Sequence, residues 1–160
     1  MEENQQPQGE TPCKDQIAVL LAKAACDEKT AEYQYQIAAH IARGPGYCDV
    51  HDEFLKHADE ERAHFQDILN RLEQIGAGFA FDLCDVAKKG NPWVPIQTTN
   101  VKEQLTILIK AEQDAQTFYT SIVNAARDCE DWVTNRLFKK LLADECEHET
   151  DLKRILEHLG

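Results

Sequence analysis

Two short motifs in the sequence place a glutamate three residues before a histidine. Glu61 and His64 form the first Glu-x-x-His, and Glu145 and His148 form the second. On a helix, residues three apart lie on one face, so each motif would direct a carboxylate and an imidazole inward together. One such motif arises easily by chance, but two motifs at matching places in the two halves of the chain are harder to dismiss.

Each motif is preceded by a glutamate that lies within an apolar stretch. Glu32 precedes Glu61 by 29 residues, and Glu112 precedes Glu145 by 33 residues. The two motifs themselves are 84 residues apart. Each half of the chain therefore offers one glutamate followed by Glu-x-x-His.

Carboxylates and imidazoles in this number are costly inside a protein. Four buried carboxylates without cations would be untenable, whereas two divalent metals would balance their charge. Oxygen donors with imidazole suit iron or manganese. The alternative, an accidental core of salt bridges, is disfavoured for the set taken together. The predicted metal ligands, which are also the predicted catalytic residues, are Glu32, Glu61, His64, Glu112, Glu145 and His148.

Four long amphipathic segments are predicted to position these side chains. Apolar residues recur at helical spacing in each of them. Their approximate limits are 14–43, 49–75, 100–126 and 132–159. Helices of this length, far above the mean of about 11–12 residues, joined short–long–short, indicate an all-α four-helix bundle with a crossover between helices two and three.

Helix-breaking and helix-capping residues support these limits and the domain organisation. Gly44-Pro45-Gly46 ends the first helix, and Asn100 with Glu103 forms a start signal for the third. The crossover could hold a short helix at Phe79–Lys89. Residues 1–13 are predicted to be a flexible polar tail, and residues 14–160 a single bundle domain.

The charge of the chain limits its partners. The net charge is −12, which disfavours binding to nucleic acid or anionic membranes and suits either attraction of cations or a plain acidic surface. No apolar run approaches 18 residues, and the N-terminus lacks the features of a signal peptide. A cytoplasmic protein without a membrane partner is predicted.

The six cysteines are scattered and include no Cys-x-x-Cys pair. Zinc-ribbon and rubredoxin-type sites need such pairs, so neither is supported. A disulfide framework is not expected, because the chain can build its own core. Most of the cysteines are predicted to be reduced apolar fillers.

The six predicted ligands resemble the di-iron signature of the ferritin-like superfamily, which includes bacterioferritins, Dps-like proteins and rubrerythrins. The resemblance covers about residues 15–158 and implies two iron ions per subunit, with manganese as an alternative. It also implies a role for each pair of residues. The roles are terminal carboxylates for Glu32 and Glu112, bridging carboxylates for Glu61 and Glu145, and one iron ligand each for His64 and His148.

Within that superfamily, the sequence is most similar to Dps-like proteins that keep a bacterioferritin-type site inside the bundle. The similarity includes the stretches 141–149 and 110–113. Arg62 stands where bacterioferritins have their haem methionine, so no haem is expected. Members of this group are described with two thiols near the metals. Cys84 matches one of these positions, whereas Asp114 occupies the other.

The remaining polar residues near the motifs receive weaker predictions. A tyrosine two turns after Glu112 either supports the site or packs in the core. Two histidines are expected to have structural or surface roles rather than to bind metal, and three glutamates are expected to face solvent or neighbouring subunits. These residues are Tyr119, His40, His57, Glu60, Glu147 and Glu149; Glu147 could also guide incoming iron, and the role of Cys146 is left open.

The resemblance implies a ferroxidase that oxidises Fe(II) with hydrogen peroxide or dioxygen. It would store iron in a hollow homo-oligomer, preferably a dodecamer and alternatively a 24-mer, and so protect against oxidative stress. No DNA binding is expected, because the N-terminal tail is acidic. Two alternatives stay open: a di-iron or di-manganese peroxidase without storage, and a non-enzymatic metal-binding bundle.

Overall fold

Four long helices make up the computed structural model, which describes residues 13–78, 86, 88–91 and 94–160. Their bounds are Cys13–Ile41 (α1), Tyr47–Gln74 (α2), Val101–Asp128 (α3) and Trp132–His158 (α4). The predicted all-α four-helix bundle is confirmed. None of the helices in these ranges has an apolar stretch long enough to cross a membrane. The short helix predicted at Phe79–Lys89 falls largely outside the described residues, as does the tail apart from Cys13.

Local signals in the sequence set the helix limits. Gly44 and Gly46 have φ angles of 87° and 84°, a backbone region that glycine enters without strain. They form the tight turn between α1 and α2. The side chain of Asn100 accepts a hydrogen bond from the backbone N–H of Glu103 at 3.2 Å, which confirms the predicted start of α3. Asp131 caps α4 in the same way.

The helices enclose two apolar clusters. α1 packs mainly on α2, and α3 mainly on α4, while α1–α3 and α2–α4 contacts join the two hairpins. One cluster includes Tyr35 and Phe54, and the other includes Tyr119 and Phe138. Along every helix, buried charged side chains lie between the residues of the two clusters. This polar layer is where the sequence predicts the metal ligands.

The described part of the crossover runs alongside α1. The side chain of Asn91 donates a hydrogen bond to Asp27 at 3.0 Å, and Gln34 donates to the carbonyl of Val94 at 2.6 Å. The backbone N–H of Arg43 donates to the carbonyl of Thr99 at 2.8 Å. These bonds carry the chain back along the bundle, so that α3 begins beside the end of α1.

The two hairpins are internally related by an offset of 84 positions. Buried side chains of similar character recur at this offset on both members of each hairpin. Such pairs include Leu21 with Leu105, Tyr35 with Tyr119, Phe54 with Phe138, and Ile68 with Leu152. The bundle therefore has approximate twofold symmetry in its sequence pattern, centred on the polar layer.

Two cysteines depart from the predicted reduced state. Cys13 at the start of α1 and Cys129 just after α3 form a disulfide, with Cα atoms 5.6 Å apart. The packing of α1 beside α3 brings them together although 116 residues separate them. Cys26, Cys48 and Cys146 are not in disulfides, and Cys84 lies outside the described residues.

Candidate metal centre

Six side chains from all four helices meet in the polar layer, and none is more than 4% exposed. They form two overlapping groups, in each of which the ligand atoms lie within 4.8 Å of one another. The first group is Glu28, Glu61, His64 and Glu145, and the second is Glu61, Glu112, Glu145 and His148. Two carboxylates therefore belong to both groups.

The shared carboxylates offer a different oxygen to each histidine. His64 Nδ1 lies 3.2 Å from Glu61 Oε2 and 3.3 Å from Glu145 Oε1. His148 Nδ1 lies 3.3 Å from Glu61 Oε1 and 3.4 Å from Glu145 Oε2. The two imidazole rings are nearly parallel, with centroids 6.0 Å apart. This is the arrangement in which a carboxylate can bridge two cations.

The structure brings together five of the six residues predicted from sequence and leaves Glu32 outside both groups. The carboxylate of Glu32 instead accepts hydrogen bonds from Lys29 at 2.5 Å and Gln36 at 3.4 Å. Glu28, one turn earlier, takes the place expected for Glu32, with Oε2 3.6 Å from His64 Nδ1. Glu28 and Glu32 both fit the buried 3–4 spacing that begins at Ile17 and continues to Tyr35, but only the Glu28 carboxylate belongs to a ligand group.

The internal symmetry contained a signal for Glu28. Glu28 precedes Glu112 by 84 positions, as Glu61 precedes Glu145. It also precedes Glu61 by 33 positions, the same spacing as from Glu112 to Glu145. Glu32 departs from this spacing by one helical turn.

Two buried tyrosines each bond, across the hairpins, to a glutamate that belongs to only one ligand group; we call Glu28 and Glu112 the outer glutamates. Tyr119 on α3 donates a hydrogen bond to Glu28 on α1, and Tyr35 on α1 donates to Glu112 on α3. Burial, aided by the neighbouring carboxylates, raises the pKa of both phenols well above its usual value. Both tyrosines therefore stay protonated donors. Tyr119 was predicted either to support the site or to pack in the core; it bonds to Glu28, and its ring also packs edge-on against Phe138. No role was predicted for Tyr35.

Two further carboxylates hold the outer edges of the histidines. His64 Nε2 lies 3.2 Å from Asp144 Oδ2, and His148 Nε2 lies 3.0 Å from Glu60 Oε2. Glu60 was predicted to face solvent or neighbouring subunits, and no role was predicted for Asp144. Each directly precedes the glutamate of a motif, which was the available signal. A proton held on Nε2 leaves the Nδ1 lone pair facing the centre, as a metal ligand requires.

Replacing Glu60 or Asp144 by alanine is expected to weaken metal binding about 10–100-fold, because the histidine loses the partner that fixes its orientation and tautomer. Titration of the metal-free protein with Zn(II) would measure the change. Glu157→Ala is the matched control, since Glu157 is exposed on the same helix as Asp144. Equal affinities in all three variants would contradict the orienting role.

Three buried atoms of the centre have no hydrogen-bond partner within the described ranges. They are Glu61 Oε1, Glu145 Oε1 and His148 Nδ1. The last lies 3.3 Å from Glu61 Oε1, but their relative orientation does not form a hydrogen bond. Buried polar atoms without partners cost free energy. Four carboxylates, two imidazoles and these unpartnered atoms fit a pair of divalent cations.

Without metal, the centre retains protons. Burial alone would lower the pKa of His148, but the nearby carboxylates of Glu145 and Glu61 raise it to about 12. The pKa of His64 is likewise raised, despite burial, by Glu145 and Glu28. Burial and the charge of Glu61 raise the pKa of Glu28, and burial and the charge of Glu145 raise that of Glu112. Cations must displace these protons in order to bind.

Metal affinity is therefore expected to rise with pH between about 6 and 8, because ligands with raised pKa values give up protons more readily as pH increases. The sign follows from the direction of the shifts: lower pH favours the protonated, metal-free centre. Calorimetry with Zn(II) in two buffers of different ionisation enthalpy would count the protons released. Binding without proton release, or affinity independent of pH, would contradict the expectation.

The centre can be approached from two sides. A cavity of about 680 Å³ between α1 and α3 is lined by all four carboxylates of the two groups. A smaller cavity of about 210 Å³ between α2 and α4 is lined by both histidines with Glu60, Asp144 and Glu147. The carboxylates thus face one opening and the outer edges of the imidazoles face the other.

The other residues singled out from sequence lie around this centre. His40 is exposed as predicted, and Arg62 is exposed and paired with Asp59 at 2.7 Å. His57 was expected to be structural or superficial and is fully buried. Burial, with the nearby charge of His148, lowers the pKa of His57 to about 3, so its imidazole is neutral. Asp114 pairs with Lys110 on the surface.

The four long helices enclose a layer of carboxylates and imidazoles whose ligand atoms are close enough together to hold metal ions. The Ferritin family, described as a ferritin-like domain, matches residues 18–160. The chain belongs to this family, which confirms the superfamily predicted from sequence.

Individual proteins similar to this chain include Dps proteins and a bacterioferritin-related protein. The DNA protection during starvation protein of Pyrococcus furiosus is 28% identical over 145 residues, covering 89% of this chain and 77% of the relative. A structure from Bacteroides fragilis, described as a dodecameric thioferritin and bacterioferritin-related protein, has a TM-score of 0.87 at 28% identity and covers 91% of this chain and 87% of that one. Dps from Thermosynechococcus elongatus has a TM-score of 0.86 at 19% identity, covering 90% and 92%, and shows the fold alone. The family as a whole supports iron storage and ferroxidase-type activity.

Proposed function

We propose that the protein is a di-iron ferroxidase that oxidises Fe(II) with hydrogen peroxide or dioxygen and stores the product. The observation that carries this proposal is the sharing of Glu61 and Glu145 between two ligand groups, with buried oxygens that lack hydrogen bonds. Two adjacent cation positions joined by carboxylates allow two electrons to leave in one encounter with an oxidant.

Each residue of the centre has a proposed role. Glu28 and Glu112 are terminal carboxylates, and Glu61 and Glu145 bridge the two ions. His64 and His148 each supply Nδ1 to one ion. Tyr35, Tyr119, Glu60 and Asp144 are positioning residues that hold these ligands in place.

The overall reaction balances simply. Two Fe(II) ions lose one electron each, and one hydrogen peroxide takes up both electrons with two protons to give two waters. Dioxygen taking up the same electrons and protons gives hydrogen peroxide. The buried carboxylates hold the Fe(II) substrate ions in place, and the cavity that they line gives the oxidant access to the ions.

Assembly into a hollow homo-oligomer is part of the proposal. The thioferritin relative, at 28% identity, is described as dodecameric, which favours twelve subunits over 24. A net charge of −12 would attract Fe(II) to such a particle. We place the protein in the cytoplasm as a protector against oxidative stress, acting without haem and without DNA binding.

The experiment that tests the proposal is stopped-flow absorbance of the metal-free protein with two Fe(II) per chain. The protein is mixed separately with dioxygen and with peroxide, and its mass in solution is measured alongside. Rapid oxidation at this stoichiometry in a particle of twelve or more chains is expected. A small oligomer that turns over peroxide with an external electron donor would instead indicate a peroxidase, and redox-silent metal would indicate a structural bundle.

A further inference from the structure

The approximate symmetry of the two hairpins fails at one buried place beside the metal centre. Glu53 and His57 on α2 correspond, 84 positions later, to Leu137 and Leu141 on α4. His57 is 0% exposed, and neither of its ring nitrogens has a hydrogen-bond partner in the part of the chain that the structure describes. A histidine buried in this way costs free energy that leucine at the same place does not. A ligand for His57 would offset this cost.

Besides Glu60, which pairs with His148, two carboxylates lie within reach of the unpartnered imidazole. His57 Nε2 is 3.1 Å from Glu53 Oε1, although the orientation does not form a hydrogen bond. Asp151 on α4 completes a group whose ligand atoms all lie within 4.8 Å of one another. The side chains of Glu53 and Asp151 are 27% and 18% exposed. An ion from solvent can therefore reach this group without opening the bundle.

A positive charge already occupies the edge of this group. Lys56 Nζ lies 2.9 Å from Glu53 Oε1 and 3.7 Å from Asp151 Oδ2. The two carboxylates thus attract a cation in the structure as it stands. Because the Lys56 side chain is 49% exposed, it can move into solvent when another cation arrives.

We propose that Glu53, His57 and Asp151 form a third cation site, separate from the paired centre, that binds a divalent first-row transition ion. One imidazole nitrogen and two carboxylates are a donor set that Fe(II) and Zn(II) accept, with water completing the coordination. Competition from Lys56 and exposure of the carboxylates make this site weaker than the paired centre. The site does not depend on whether the paired centre oxidises iron.

The third site is next to the paired centre, because its ligand His57 packs against His148, a predicted ligand of the paired centre. The rings of His57 and His148 stack with centroids 4.2 Å apart and an angle of 21°. His148 directs Nδ1 toward the paired centre. An ion at the third site is therefore held next to the position where His148 binds, between the paired centre and solvent, as a waiting position for incoming or departing iron.

The second hairpin provides a natural comparison. Asp67 corresponds to Asp151, and Lys140 corresponds to Lys56, and these two residues also pair, at 3.2 Å. Their neighbours at the matching positions are Leu137 and Leu141, which offer no ligand. The aspartate and the lysine thus recur at an offset of 84 positions, whereas Glu53 and His57 are replaced by leucines at that offset. The third site is thus expected in one hairpin only.

The test is calorimetric titration of the metal-free, full-length protein with Zn(II), which has no redox chemistry. Wild-type protein is expected to bind two ions tightly and a third more weakly. His57→Leu, which installs the residue of the other hairpin, and the pair Glu53→Gln with Asp151→Asn should each weaken the third event by about tenfold or more. The first two ions should bind as before. Asp67→Asn is the matched control and should retain all three.

Saturation of the wild type at two ions would overturn the proposal, as would a third event that survives in His57→Leu or disappears equally in Asp67→Asn. Lys56→Met gives an independent check, because removal of the competing ammonium should tighten the third event several-fold. Weaker or unchanged binding in Lys56→Met would count against the site. If a variant loses helical content by circular dichroism, Asp151→Asn alone serves in its place. Failure of Fe(II) oxidation with an intact third event would count against the proposed function only.

Discussion

Replacement of Glu61 and Glu145 together by alanine is expected to abolish rapid Fe(II) oxidation. Both carboxylates belong to both ligand groups, so their removal leaves each ion with one outer glutamate and one histidine and without a bridge between the ions. Loss of an outer partner typically costs about 10–100-fold in metal affinity or activity, and loss of two direct ligands should exceed the upper figure. Stopped-flow absorbance at two Fe(II) per chain measures the effect.

The control for this variant removes two glutamates from the same helices without touching the centre. Glu73 on α2 and Glu157 on α4 are both exposed, and Glu73→Ala with Glu157→Ala should oxidise Fe(II) at the wild-type rate. If the Glu61 and Glu145 double variant retained that rate while remaining helical, the assigned centre would be wrong.

Glu28→Gln and Glu112→Gln are expected to have matching effects, each reducing the affinity for one of the two ions by about 100-fold. These glutamates occupy equivalent places in the two hairpins, and each accepts a hydrogen bond from a tyrosine of the other hairpin. Glutamine keeps the size and the acceptor oxygen but loses the charge, so the variant tests metal binding rather than packing. At the paired centre, Zn(II) titration should show one tight ion and one weakened ion in each variant.

Glu32→Gln tests whether the metal ligand on α1 is Glu28, as the structure indicates, or Glu32, as the sequence suggested. The Glu32 carboxylate bonds to Lys29 and Gln36 and lies outside both ligand groups, so this variant should bind both ions within about twofold of wild type. A large loss in Glu32→Gln with little change in Glu28→Gln would reverse the assignment on α1.

Much of the fold could be predicted because its signals are local. Helical periodicity, the glycines at Gly44 and Gly46, and the Asn100 cap define helix limits without knowledge of the packing. The crossover follows from the spacing of the long helices. Its path along α1 could not be predicted, because it depends on hydrogen bonds such as that between Asn91 and Asp27.

The candidate centre was partly predictable for a different reason. Residues three apart on a helix share a face, so each Glu-x-x-His motif by itself predicts that its glutamate and histidine point to the same side of the helix. A lone glutamate has no such partner, and Glu28 and Glu32, one turn apart, look equally suitable. The offset of 84 positions distinguishes them only when the whole core pattern of both hairpins is aligned.

Contacts between distant helices were beyond the sequence. Cys13 and Cys129 are 116 residues apart, and nothing in their spacing identifies them as partners. The pairing of Glu60 with His148 and of Asp144 with His64 depends on how α2 and α4 approach each other. The tyrosines that cross between α1 and α3 depend in the same way on the packing of the hairpins.

Because Glu61 and Glu145 belong to both ligand groups, the two hairpins, joined by the crossover, would also be linked through bound metal. Each ion would take three ligands from one hairpin and one shared carboxylate from the other, so each hairpin alone would lack one ligand of its ion. Bound metal would clamp the halves together at the middle of the molecule, where the charged layer interrupts the apolar packing. Resistance to unfolding should then grow with the logarithm of the free metal concentration, and removal of metal should loosen the seam between the hairpins before either hairpin comes apart.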